Sequence, residues 1–118
     1  MTILTKILAT LVALEFFFIF YLETIATTSA RTAKVFQMAP AELRRRSVQT
    51  LFKNQGVYNG LIGVLVLLAT FAYPSLTALM ALMSFIILVA IYGSFTSNPK
   101  IILLQGGLPI LTLIACWF

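Results

Sequence analysis

Histidine and aspartate are absent from the chain, and Cys116 is its one cysteine. Without an imidazole or a second thiol, one copy cannot form a disulfide, a zinc ligand set, a haem axial histidine or a histidine-based triad. Acid is scarce too: Glu15, Glu23 and Glu42 face eight lysines and arginines. Cys116 reads as a small apolar filler near a helix end rather than a reactive thiol. No nucleophile stands beside a recognisable base, so an enzyme is not expected, nor is a metal or cofactor.

What is there is overwhelmingly apolar. Of the 118 residues, 61% are hydrophobic and 9% charged, with a mean hydropathy of +1.05. Soluble domains carry about a quarter charged residues. A soluble chain of this size would leave roughly a third or more of its surface in water. The bilayer is therefore the expected solvent, and a crossing helix needs about 20 mostly apolar residues. Four segments of one membrane domain qualify: residues 3–26, 52–72, 76–95 and 101–118. The first resembles a signal peptide superficially, but Glu15 interrupts it and no small-x-small site closes it, so it reads as a retained helix.

Tyr73-Pro74-Ser75 and Thr96-Ser97-Asn98-Pro99-Lys100 carry turn chemistry and predict two tight antiparallel hairpins. The loop at 27–51 is longer and holds most of the polar residues, with Pro40-Ala41-Glu42-Leu43 suited to start a short helix running into the second span. Arg31, Lys34, Arg44, Arg45, Arg46, Lys53 and Lys100 cluster on one side, opposed by Lys6 alone. Positive loops stay cytoplasmic, which predicts an all-α, integral membrane four-helix bundle in a bacterial inner membrane, both termini on the outer side. Arg44, Arg45 and Arg46 are either a topology signal or a lipid-headgroup contact of about 1 kcal/mol each. Nucleic acid is not an expected partner.

Projection at about 100° per residue groups the polar positions. In the first span Glu15 shares a face with Leu8, Ile19 and Leu22; in the second Gln55, Tyr58, Asn59 and Thr70 form a stripe. The third offers Thr77, Ala81, Ser84, Leu88 and Tyr92, the fourth Gln105, Pro109, Thr112 and Cys116. Polar groups facing lipid lack partners, so the stripes are expected inside. The resulting site is an inward-facing pocket around Glu15, lined by Glu23, Asn54, Gln55, Tyr58, Asn59, Tyr92 and Gln105, with Glu15 and Asn59 near the midplane and Glu23 nearer the cytoplasm. Glu15 either exchanges a proton or cation, or only hydrogen-bonds Asn59 or another helix. Glu23 could instead pair with Lys53 or a loop arginine. Gly56, Gly60 and Gly63 make a smooth strip for close helix approach. Pro109 removes the donor for the Gln105 carbonyl and predicts a kink there.

Four strings, ALEFFFIFYLE (Ala13 to Glu23), NQGVYNG (Asn54 to Gly60), IYGSFT (Ile91 to Thr96) and ILLQGGLP (Ile102 to Pro109), resemble the signature segments of a family of small four-span bacterial membrane proteins, domain of unknown function 1304. The resemblance covers essentially the whole chain. It implies the four-span fold and marks these polar positions as recurring, while bringing no activity. Family members often have a histidine after the first glutamate, where this chain has Phe16, so no metal or proton-relay role carries over.

Two functions compete. One is a small permease or efflux-type protein binding a small, cationic or lipophilic solute at Glu15, working as a homo-oligomer. Its architecture is similar to that of the small multidrug transporters, but the one-sided charge favours a parallel dimer. The alternative is a non-transporting, membrane-stabilising or accessory protein whose polar stripes are structural glue.

Overall fold

The computed structural model describes residues 1–97 and 100–118, so Asn98 and Pro99 of the expected third turn lie outside the described residues. Among the described residues there are helices and turns, and no strand. Helix α1 (Ile3–Phe20) continues into a π-helical turn at Tyr21–Ile25. Short helices α2 (Ala30–Val35) and α3 (Pro40–Leu43) follow. Helix α4 (Arg46–Leu67) ends in a second π-helical turn at Leu68–Ala72, and α5 (Leu76–Thr96), α6 (Ile101–Leu104) and α7 (Gly107–Ala115) complete the chain.

Among the described residues, three helices are long and apolar enough to cross a membrane: Ile3–Ile25, Arg46–Ala72 and Leu76–Thr96, of 23, 27 and 21 residues. At about 1.5 Å per residue even the shortest reaches the roughly 30 Å of a hydrocarbon core. The fourth expected segment is divided instead, with a turn at Gln105 and Gly106 between α6 and α7. Pro109 accounts for the break, since it cannot close a bond onto the Gln105 carbonyl but is tolerated in the first turn of α7.

Side-chain caps fix two helix starts. The Ser29 hydroxyl accepts from the Thr32 amide at 3.1 Å and the Ser75 hydroxyl from the Ala78 amide at 3.1 Å. Helix α2 ends with Gln37 in the left-handed region at φ 54°, where the Met38 amide donates to the Ala33 carbonyl and the Gln37 amide to the Lys34 carbonyl.

The chain divides into two compact units. The first comprises Met1–Ala13 and Leu65–Phe118. Here α5 packs on α6 and α7, burying Leu79, Met83, Ile86 and Ala90, one face at i, i+4, i+7 and i+11. Pro109, Thr112 and Ala115 are buried on α7. The inward stripe predicted for α5 is corrected: Thr77, Ala81, Ser84, Leu88 and Tyr92 are all exposed, about 170° round from the buried face. The reason is local. Ser84 donates to the Met80 carbonyl at 2.8 Å and Thr96 to the Tyr92 carbonyl at 3.0 Å, so these hydroxyls are satisfied without facing another helix.

The second unit is Leu14–Val64. Its loop is not one helix running into the second span: α3 is a single turn, and a separate α4 begins at Arg46, six residues before the expected start at Phe52. Leu43 is fully buried. The rings of Phe36 and Phe52 meet edge to face at 5.2 Å, tying the end of α2 to α4. The Thr32 hydroxyl, also fully buried, reaches the Ala26 carbonyl at 2.7 Å and the Leu22 carbonyl at 3.1 Å. Helix α2 thus satisfies carbonyls left open where the first long helix ends.

Candidate functional site

The site is built on the π-helical turn. Its wider ring closes when the Ala26 amide donates to the Tyr21 carbonyl at 2.8 Å, which displaces neighbouring carbonyls from the usual ladder. Hydroxyls take two of them: Thr32 that of Leu22, and Thr27 that of Glu23 at 2.7 Å. Held from both sides, Glu23 is only 1% exposed. Its Oε1 accepts from the Asn59 Nδ2 at 2.5 Å, a bond from α4 to the end of the first long helix.

Close approach makes that bond reachable. A Cβ at Gly56 would collide with the Thr24 hydroxyl and lie 3.0 Å from the Glu23 Cβ. A Cβ at Gly60 would lie 3.1 Å from the Phe20 ring. Thr24 also donates to the Lys53 carbonyl at 2.9 Å. Lys53, Gly56 and Asn59 recur at i, i+3 and i+6, so one face of α4 carries an accepting carbonyl, a gap and an amide donor in succession.

Chemically this is a carboxyl group inside an apolar helix pair, held by one neutral amide. Among the described residues no cation pairs with it, and the ion pair formed there is Arg45 to Glu42 at 3.1 Å, on an exposed face. Among the described residues no group of three His, Cys, Asp or Glu side chains gathers to hold a metal.

The other expected pocket residues are placed differently. Glu15 is half-buried and makes no hydrogen bond or ion pair among the described residues. The carboxyl that meets Asn59 is that of Glu23, and Glu23 pairs with neither the Lys53 ammonium nor a loop arginine. Asn54 and Gln55 are exposed, Tyr58 is 73% and Tyr92 71% exposed, and Gln105 is half-buried at the break before α7. The predicted lining by Asn54, Gln55, Tyr58 and Tyr92 is therefore corrected; the buried side of α4 follows Gly56, Gly63 and Val66 instead. Arg44, Arg45 and Arg46 are exposed.

The polar pattern overlooked Thr24, Thr27 and Thr32. It also centred the first helix on Glu15, although Thr5, Ala9 and Ala13 form a small-xxx-small strip, and all three are buried.

The fold and this pair of a buried glutamate and a half-buried asparagine define a class: among the described residues, helices only, three of them long and apolar enough to cross a membrane, consistent with a membrane protein. Residues 10–117 match the profile of the family described as protein of unknown function, DUF1304, and the chain belongs to that family. It is 61% identical over 119 residues to the uncharacterized protein YpaA of Lactococcus lactis subsp. lactis (strain IL1403), covering 100% of both chains. No solved structure matches.

Proposed function

We propose that this is a small multi-pass permease of the bacterial cytoplasmic membrane, in which Glu23, held by Asn59, takes up and releases a proton or small cation. The observation that supports it most directly is a glutamate 1% exposed in a helix long and apolar enough to cross a membrane, with an amide partner and no ion pair among the described residues. An ionisable residue inside a span is a functional group by default. The π-helical turn that carries it points the same way, since such turns recur at functional sites. In this proposal residues 101–118 form a fourth, broken span, the basic loop faces the cytoplasm with both termini outside, and the chain works as a homo-oligomer without enzymatic chemistry.

The test is proton movement in vesicles of purified protein carrying a trapped pH-sensitive dye, with an imposed potassium diffusion potential. The parent should acidify the lumen and Glu23→Gln should not, with helicity unchanged. Equal flux in parent and Glu23→Gln would sink the exchange mechanism. The second reading, a stabilising or accessory protein, is favoured by the exposure of Asn54, Gln55, Tyr58 and Tyr92, which would otherwise line a polar path. It predicts no flux from the parent and a Glu23→Gln effect confined to stability.

A further inference from the structure

Within Leu14–Val64 an apolar groove of about 240 Å³ runs between the first long helix and α4, lined by Phe17, Phe20, Val57, Gly60, Leu61 and Val64. Its floor is Gly60, where the absent side chain leaves Phe20 as the opposite wall. On α4 the lining positions Val57, Gly60, Leu61 and Val64 recur at i, i+3, i+4 and i+7, a single face. Continued one turn back, that face carries Lys53, and two turns further Arg46. Both are exposed, and neither forms an ion pair among the described residues. On the facing helix, Tyr21 follows Phe17 by one turn and is 46% exposed. A tyrosine and a lysine at the same end of an apolar groove are the side chains that sit at the level of lipid headgroups.

Length fits as well as charge. From Lys53 to Val64 the helix rises about 16 Å, close to the roughly 15 Å of hydrocarbon in one leaflet. We propose that the groove and Lys53 seat one anionic phospholipid, an acyl chain lying along Val57, Gly60, Leu61 and Val64 and the phosphate at Lys53, with Arg46 as the outer cation. A second copy of this chain is the poorer occupant, because a parallel contact along this face would set Lys53 against Lys53 and Arg46 against Arg46.

The experiment is native mass spectrometry of the full chain in detergent, titrated with phosphatidylglycerol and phosphatidylcholine of identical acyl chains. The parent should retain phosphatidylglycerol preferentially. Lys53→Gln should lower the ratio of the two adducts about fivefold, the effect of one basic residue at a membrane surface. Lys53→Arg should preserve the ratio, and so should Arg45→Gln, whose parent side chain is engaged by Glu42. Leu61→Trp, which fills the groove from an exposed position, should reduce retention of both lipids. An unchanged ratio in Lys53→Gln with unchanged helicity overturns the site, as does retention that Leu61→Trp leaves intact. A lipid-free dimer that Leu61→Trp dissociates would assign the groove to a second copy instead.

Discussion

The two units differ in how far their polar side chains reach, although Thr27 and Thr50 of the second unit also bond four residues back. In Leu14–Val64, side chains reach across sequence: Asn59 to Glu23, Thr24 to the Lys53 carbonyl and Thr32 to the Leu22 carbonyl. In the unit of Met1–Ala13 and Leu65–Phe118, the hydroxyls of Thr10, Thr70, Ser84, Ser94, Thr96 and Thr112 each donate to the carbonyl four residues back. A hydroxyl can be satisfied by its own helix, whereas a carboxyl and a carboxamide have too many donor and acceptor sites for that. A serine or threonine in an apolar helix is thus ambiguous about tertiary contact: Thr24 and Thr32 reach across sequence, while Thr70 and Ser84 bond within their own helix.

The sharpest way to break the long-range set is Gly56→Leu. The new side chain must displace Thr24 and press on Glu23, so we expect a loss of about 3 kcal/mol or more, read as loss of the folded species in a detergent unfolding titration. Glu23→Ala comes next: it strands the Asn59 amide at a loss of about 1–2 kcal/mol. Glu23→Gln should retain most of that stability, and the two variants compared by thermal unfolding separate hydrogen bonding from carboxyl chemistry. Thr24→Val removes a single bond to the Lys53 carbonyl and should cost about 0.6 kcal/mol in the same assay. Ser84→Ala, on the exposed face of α5, should stay within about 0.5 kcal/mol of the parent. A Ser84→Ala loss equal to that of Thr24→Val would erase the distinction between the units.

Much of this was legible beforehand. Long apolar runs located the three helices within a few residues, apart from the early start of α4 at Arg46. Pro109 marked the break before α7, and the glycines at 56 and 60 marked the face on which α4 meets its neighbour. The partner of Asn59 was not legible. Counting depth from the ends of the apolar runs sets Asn59 level with Glu15, and the observed bounds keep it so, yet the carboxyl that its amide meets is that of Glu23. The orientation of α5 failed for a different reason. Where lipid and protein interior are both apolar, burial gives no sign of which face turns inward, and the self-satisfied hydroxyls of α5 give none either.

The sequence by itself determined where the backbone is helical and that these helices suit a bilayer, since length, hydropathy and proline placement act locally. Only the tertiary structure decided that buried Glu23 takes Asn59 as its partner. That choice depends on the approach of two helices over Gly56, with the π-helical turn at Tyr21–Ile25 and the hydroxyls of Thr27 and Thr32 holding one partner in place. Those contacts link residues up to 36 positions apart, a distance over which local propensity carries no information.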